Sequence, residues 1–548
     1  MIRAHHAAAV RAAEEPLLAA GEPLMASAAF ALATHVVAEL RARGRVAGSV
    51  VLLVVGGGNN GGDALFAGTH LVRRGCQVHA ALVSGDVHPQ GLAAARAAGV
   101  VVHRVLDDAD PAAAVLALAR RCGVWVDAVT GIGARGPLRD PAAAVVAALA
   151  QERAGWPQEP VVVAVDVPSG IGVDDGTVEG PVLPADVTVT MGTAKPGLLL
   201  PPASGLAGRV EVVELGLDAL AAEPPAACSL TAADVADLWP VPGPDDHKYT
   251  RGVLGLAAGS QAYPGAAALA AAGALRTGLG MVRYLGPEVP AALVRTRHPE
   301  VVTVPGRVQA WVLGSGVGPE DAARTHELYE HLRAALDARQ PVVLDAGALT
   351  LLHEDDHLPD LPATAVLTPH AGELAALLTA RGEETGREEV TAAPARHARL
   401  AAEITGATVL LKGPTTVVAA PDGPLYAQHD ATPWLATAGA GDVLAGVLGA
   451  LLAAYGDLLA AGTADGGGLP ASIAAVAALV DGRAARLAAG LPPEARAGVP
   501  SWTGVRGRSG APGWTGPVPA GGPALTGVPI AAGDVAAALP AALRTVLA

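Results

Sequence analysis

Ser49-Val50-Val51-Leu52-Leu53-Val54-Val55-Gly56-Gly57-Gly58-Asn59-Asn60-Gly61-Gly62-Asp63 decides the fold of the first half of this chain. The run from Val50 to Val55 is continuously apolar and mostly β-branched, the pattern of a strand buried on both faces. It stops at three glycines, and residues 64–74 then return to helical spacing. Strand, glycine loop and helix form the opening unit of a doubly wound parallel sheet, here called Rossmann-like.

Working outward, residues 1–48 place Leu17, Leu18, Leu24, Met25, Ala28 and Leu32 at helical spacing and read as two helices. Further strands are expected at 77–83, 124–129 and 161–165, with helices at 91–98, 110–120 and 141–150. Chemistry in such a sheet gathers at the carboxyl ends of the strands. Three polar motifs fall there: Asn59-Asn60-Gly61-Gly62-Asp63, Asp127-Ala128-Val129-Thr130-Gly131-Ile132-Gly133 and Asp166-Val167-Pro168-Ser169-Gly170. Each alone reads equally well as turn chemistry; three on one edge favour a site. Oxygens from Asn60, Asp127 and Ser169 suit a hard cation.

In the second half the central stretch is Thr437-Ala438-Gly439-Ala440-Gly441-Asp442-Val443-Leu444-Ala445-Gly446. A glycine turn opening a helix aims free N–H groups and the positive dipole end at a ligand, which makes an anion site. A carboxylate beside phosphates repels them, so Asp442 reads as a proton-transfer group. The bland alternative is an N-cap. Upstream, a strand at 252–257 leads through Gly259-Ser260-Gln261-Ala262-Tyr263-Pro264-Gly265-Ala266-Ala267 into an Ala-rich helix. A strand at 310–313 precedes Gly314-Ser315-Gly316-Val317-Gly318, and one at 341–344 precedes Asp345, which reads as a turn cap. Leu367-Thr368-Pro369-His370-Ala371-Gly372-Glu373 follows, in which His370 is as readily a loop histidine as a site residue. Lys412-Gly413-Pro414-Thr415-Thr416 joins a cation to exposed donors and reads as a phosphate grip.

Residues 218–244 read as a connector, giving domains at 1–225 and 226–548. Within the second, 490–529 is rich in Gly, Pro, Ser and Trp without periodicity and reads as a flexible insertion carrying Trp502 and Trp514. Residues 530–548 return to helical spacing.

The chain has 548 residues, a net charge of −15 and only 3% aromatics. Its pI is near 5.5. With no basic cluster longer than Arg73-Arg74 or Arg120-Arg121, no nucleic-acid partner is expected. Three scattered cysteines, Cys76, Cys122 and Cys228, build neither a disulfide framework nor a zinc cluster, and fit a cytoplasmic location. The most prominent apolar stretch, 443–454, has the length of a buried helix, so no membrane span is read.

Gly-Asn-Asn-Gly-Gly-Asp, Asp-x-x-x-Gly-x-Gly and Asp-x-Pro-Ser-Gly in this order closely resemble the epimerase domain of the bifunctional NAD(P)HX repair enzymes. Their substrates, NADHX and NADPHX, are hydrated and inactive forms of the reduced nicotinamide cofactors. The resemblance implies that Asn59, Asn60, Gly61, Gly62, Asp63 and the 131–138 loop, including Gly131 and Gly133, contact substrate. It implies that Asp166 is the polar group at the reacting centre, and that Asn60, Asp127 and Ser169 hold a potassium ion. Lys195-Pro196-Gly197 and residues 208–216 resemble the domain's closing strands. The chain departs from the family at Ala64, usually Gly, and at Ile132, usually Thr.

Gly-Ser-x-x-Tyr-x-Gly-Ala, Gly-x-Gly-x-Gly, Leu-Thr-Pro-His-x-Gly-Glu, Lys-Gly and Gly-x-Gly-Asp resemble the ADP-dependent dehydratase domain of the same enzymes, which is ribokinase-like. The match spans about residues 240–490 and resumes near 530. It implies a nucleotide site at Lys412, Gly413, Pro414, Thr415, Thr416 and Gly441, and a hydrate site at Ala266, Gly316, His370 and Asp442. ADP is the implied co-substrate, with magnesium, and AMP and phosphate are the implied products. A homo-oligomer is expected. The competing readings are a small-molecule kinase of the ribokinase-like fold with an accessory binding domain, and a non-catalytic nucleotide-binding protein.

Overall fold

The computed structural model describes residues 1–153, 159–318, 320–353, 361–462, 468–493 and 527–547. They form two compact units, one of residues 3–227 and the other of 228–493 and 527–547 together with Met1 and Ile2.

In the first unit, helices α1 (Ala7–Ala19) and α2 (Leu24–Ala42) precede β1 (Val50–Val55) and α3 (Gly58–Arg73). Then come β2 (Gln77–Leu82), α4 (Pro89–Ala98), β3 (Val101–His103), α5 (Pro111–Ala119), β4 (Val124–Ala128), α6 (Ala142–Arg153), β5 (Val161–Val165) and β6 (Val187–Met191). A short helix, α7 (Pro196–Leu199), and β7 (Arg209–Val213) close the unit. The strands lie in the order β3-β2-β1-β4-β5-β6-β7, all parallel. Strand order reverses between β1 and β4, which opens a crevice at their carboxyl ends.

Three local outcomes differ from expectation. Asn59 to Asp63 do not form a loop but the first turn of α3, which starts at Gly58. Glycine makes this possible: a Cβ on Gly61 would lie 2.3 Å from the Gly56 carbonyl oxygen. Lys195-Pro196-Gly197 is not a strand, because Pro196 sits at the first helical position of α7, where its fixed φ favours a helix. The strand is β6, whose alternating Val and Thr imitate a half-exposed edge although all five residues are buried.

The second unit begins with α8 (Ala232–Leu238) inside the expected connector, started by a capping box of Thr231 and Asp234. It continues with β8 (Val253–Ala257), α9 (Pro264–Thr277), β9 (Met281–Tyr284), α10 (Glu288–Arg297), β10 (Ala310–Leu313), α11 (Ala322–Asp337), β11 (Val342–Leu344) and β12 (Ala365–Leu367). There follow α12 (Ala371–Ala380), α13 (Arg387–Ala392), α14 (Pro394–Thr405), β13 (Thr408–Leu411), β14 (Thr416–Ala419) and β15 (Leu425–Gln428). The last elements are α15 (Ala440–Ala454), α16 (Gly456–Ala460), α17 (Gly468–Ala488) and α18 (Ala532–Leu547). Strands run β15-β14-β13-β12-β11-β10-β8-β9, parallel from β13 to β9 and antiparallel at β14 and β15.

Helices α9 and α15 pack closely because glycines meet backbone. A Cβ on Gly446 would lie 2.1 Å from the Ala270 carbonyl oxygen, and one on Gly273 2.4 Å from that of Val443. Among the described residues α2 and α17, rather than residues 443–454, are by length and composition the helices long and apolar enough to cross a membrane. Most of α17 is buried in the second core. The expected insertion lies outside the described residues over 494–526, Trp502 and Trp514 included.

Candidate functional site

In the first unit the carboxyl ends of β1, β4 and β5 open into a cavity of about 1440 Å³ lined by Asn59, Asn60, Asp63, Gly131, Gly133, Asp166, Arg11, Glu14 and Met191, among others. Two expected residues, Asp127 and Ser169, lie beneath it. Asp127 is 1% exposed and accepts from Ser169 Oγ at 2.6 Å, Ser169 N at 2.8 Å and Val129 N at 3.3 Å. Burial pushes its carboxyl up, and the Ser169 and Val129 donors oppose the shift only in part. Those partners are all neutral. The Asn60 carboxamide is drawn between the Thr130 and Val165 carbonyls, with Nδ2 at 2.8 Å from each. Ser169 Oγ accepts from Thr130 N at 2.9 Å. Side-chain and carbonyl oxygens around an unneutralised buried carboxylate are a donor set that fits a monovalent cation.

Asp166 leaves β5 with φ of 66°, a left-handed conformation uncommon outside glycine. Its Oδ1 is held by the Lys195 ammonium, by Met191 N at 3.1 Å and by Thr190 Oγ1 at 3.2 Å. Lys195 is 1% exposed and also donates to Met191 O at 2.8 Å and Thr190 Oγ1 at 3.0 Å. Three donors converging on one buried oxygen fix the carboxylate's position. The sequence reading placed Lys195 only in a closing strand, whereas it is the N-cap of α7, four residues beyond the end of β6, and its role beside Asp166 was not read.

Ile132, where the family usually has Thr, lies between two apolar clusters. Its side chain packs on the apolar clusters around Val10 and Val167, and its carbonyl, not a hydroxyl, serves the loop by accepting from Arg11 at 2.6 Å. Ala64 is fully buried in the core.

In the second unit Asp442 lies in the first turn of α15 but does not cap it; the N-cap is Gly439, with φ of 90°. Burial first, and the charge of Asp345 second, push the Asp442 carboxyl up to about 7, with Lys412 opposing them. Lys412 Nζ is 2.8 Å from Asp345 Oδ1 and 3.9 Å from Glu373 Oε2. A Cβ on Gly441 would lie 3.4 Å from that ammonium, so the cation sits against the turn carrying Asp442. Burial disfavours the charged ammonium, yet Asp345, Glu373 and Asp442 outweigh it and raise its pKa.

Asp345, expected only to cap a turn, is a centre of this site. It is 2% exposed and also accepts from Ser315 Oγ at 2.8 Å and Thr368 Oγ1 at 2.9 Å. Burial would raise its pKa, but Lys412 and the two hydroxyls hold it below the usual carboxylate range. No motif pointed to it, since an Asp after a strand is common turn chemistry.

His370 joins Lys412 in an isolated parallel bridge. Its Nδ1 caps α12, accepting from Gly372 N and Glu373 N at 3.1 Å each, while the ring stays exposed. Gly316 takes φ of 68°, and a Cβ there would lie 2.3 Å from that of Ala266. The structure therefore packs Ala266 against Gly316 on one side of α9. Gly413 and Pro414 are exposed after β13, Thr416 opens β14, and Thr415 turns inward to His429 Nδ1 at 3.0 Å.

The family described as YjeF-related protein N-terminus matches residues 21–197, and that described as NAD(P)H-hydrate dehydratase matches 254–491. The chain is 44% identical over 458 residues to the bifunctional NAD(P)H-hydrate repair enzyme of Mycobacterium tuberculosis, covering 81% of this chain and 88% of that one. It is 49% identical over 223 residues to the NAD(P)H-hydrate epimerase of Clavibacter sepedonicus, covering 40% of this chain and 92% of that one. A crystal structure of ADP/ATP-dependent NAD(P)H-hydrate dehydratase from Bacillus subtilis, co-crystallised with ATP/Mg2+, covers 58% of this chain and 97% of its own at 24% identity, with a TM-score of 0.43. With both domains matched in order and identity sustained across most of its length, the chain belongs to the family of bifunctional NAD(P)H-hydrate repair enzymes.

Proposed function

We propose that residues 1–225 interconvert the R and S forms of NADHX and NADPHX, and that residues 226–548 dehydrate the S form with ADP, giving NAD(P)H, AMP and phosphate. The observation that carries the second reaction is Asp442: a carboxyl outside the cap geometry, in the first turn of α15, poised near neutrality beside Lys412.

Asp442 takes the proton of the substrate hydroxyl on C6, and that oxygen forms a bond to the terminal phosphorus of ADP while the bond to AMP breaks. Backbone N–H groups at the start of α15 and the Lys412 ammonium face the charge that develops on the phosphoryl oxygens. Asp345 holds Lys412 in place for this. Phosphate is then expelled from C6 with loss of a proton from C5, restoring the ring double bond. Gly413, Pro414, Thr415, Thr416 and Gly441 line the nucleotide, and Ala266, Gly316 and His370 the hydrate. With the nucleotide bound, magnesium would supply charge neutralisation at the phosphates that Lys412 and the start of α15 face.

In the first unit Asp166, locked by Lys195, supplies a fixed negative charge at the reacting ring, and Asn59 to Asp63 with Gly131 and Gly133 position the substrate. Asn60, Asp127 and Ser169 would hold potassium, supported by the neutral surroundings of the buried Asp127. Potassium would stiffen the loops that enclose the substrate.

The test mixes S-NADHX, magnesium and either ADP or ATP with the protein and follows absorbance at 340 nm together with released phosphate. Recovery of NADH with phosphate supports the reading. A stable phosphorylated product in place of NADH would return the second unit to a kinase.

A further inference from the structure

One face of α1 lines the cavity of the first unit without a role in the chemistry above. Ala7, Val10 and Ala13 are buried on the opposite face, and Val10 and Ala13 pack with Leu217 and Leu220. That anchorage turns Arg11, Glu14 and Leu18, at i, i+3 and i+7, toward the cavity. The Arg11 bond to the Ile132 carbonyl ties the same face to the substrate loop. Glu14 is half-buried on this stripe, whereas Arg11 and Glu15 are exposed.

The cavity holds a second carboxyl, Asp63 of α3, which is 8% exposed and has no side-chain hydrogen-bond partner among the described residues. An ionised carboxylate without donors is costly at such a depth, which favours the acid form of this one. Burial pushes Asp63 well above the usual range, and Asp166 and Glu14 push it further. Glu14 is raised as well, by burial first, with Lys195 pulling it back. Two carboxyls of unequal environment facing one cavity are the arrangement that divides acid from base.

We propose that Glu14 is a catalytic residue of epimerisation, the proton-transfer partner of Asp63 at the hydroxyl-bearing carbon of the hydrate; this rests on the epimerase reading of the first unit. In one direction the Asp63 acid gives its proton to the hydroxyl oxygen. The C6–O bond breaks with its electron pair on oxygen, water leaves, and the ring-nitrogen lone pair forms a C=N double bond. Water then adds to the other face of C6, that double-bond pair returns to nitrogen, and the Glu14 carboxylate takes the proton released. Nothing is oxidised or reduced, and only the configuration at C6 changes. In the other direction Glu14 is the acid and Asp63 the base. Asp166, ion-paired to Lys195, lines the same cavity and faces the cationic ring.

The experiment uses the full-length protein in potassium buffer without ADP and follows conversion of purified R-NADHX to the S form by chromatography. Glu14→Gln is expected to lower kcat by about 10² or more, with KM within about twofold of the parent. Glu14→Asp should recover part of that loss and move the pH profile. In the same preparations, ADP-dependent dehydration of S-NADHX should be unchanged, which confines the effect to the first unit, and the melting temperature of Glu14→Gln should match that of the parent. Retention of kcat in Glu14→Gln, or a rise in KM alone, overturns the proposal. Absence of R-to-S conversion in the parent protein would remove the epimerase reading itself, and the proposal with it.

Discussion

Lys412 and Asp345 meet at 2.8 Å at the carboxyl ends of two strands of the second sheet, and the pair sets the charge around Asp442. Burial raises the Asp442 pKa most, Asp345 adds to the rise and Lys412 opposes it, so a base on α15 is tuned by two residues at strand ends.

Because the Asp442 pKa lies at about 7 in the free protein, the base is ionised only above that value. Dehydratase kcat/KM should therefore climb with pH to a plateau, with an apparent pKa near 7. Asp442→Asn should lose the limb and lower kcat by about 10²–10⁴. Steady-state rates from pH 5.5 to 9 measure both.

Burial holds the Asp442 pKa up first and Asp345 second; Asp345→Asn removes the second of these and leaves Lys412 pulling it down. The acid limb should then move to lower pH, while the plateau falls because Lys412 loses its anchor. An acid limb that stays in place would rule out electrostatic coupling between the two carboxyls.

Asp127→Asn should abolish the selective response of the first unit to potassium. The measurement is the difference in melting temperature of the full chain between potassium and lithium chloride at equal ionic strength. The parent should be more stable in potassium, and the variant should melt alike in both salts.

Asp481 is fully buried on α17, with Oδ1 unpartnered and its pKa pushed up to about 7 by burial alone. A raised carboxyl pKa means that the folded state holds a proton the unfolded state releases. Stability from this group is full below the unfolded pKa near 4 and is lost as pH rises through about 7. Asp481→Asn should thus stabilise the protein by about 1–3 kcal/mol at pH 8 and by little at pH 4.5, read by denaturant unfolding.

Gly446→Ala would bring a methyl to 2.1 Å from the Ala270 carbonyl oxygen and push α9 from α15. A loss of about 1–3 kcal/mol is expected from overpacking. Calorimetry on the full chain checks it, and dehydratase activity should fall too, since these helices carry Ala266 and Asp442.

The inner strands of both sheets were legible because they are buried on two faces and so appear as unbroken apolar runs, Val50 to Val55 being the clearest, whereas β3, β9, β14 and β15 were not read. The strand β6 was not, since its buried Thr188 and Thr190 interrupt the apolar pattern. Those threonines are inside for a reason found only in three dimensions: Thr190 donates to Asp166 and accepts from Lys195, and Thr188 donates to Ala207 O at 2.6 Å.

The glycine motifs were readable alone because only glycine lets one backbone approach another, as at Gly61 over Gly56, and such a demand leaves its mark at a single position. The acid and base assignments were not. Asp442, Asp345, Asp127 and Asp63 are the same residue type, and burial, a nearby ammonium or neutral donors set each apart. Glu14, on a helix that precedes the first sheet, carries no motif at all. A pKa depends on charges and solvent brought together from distant positions, so sequence determined which groups were present here and tertiary packing decided which of them are ionised.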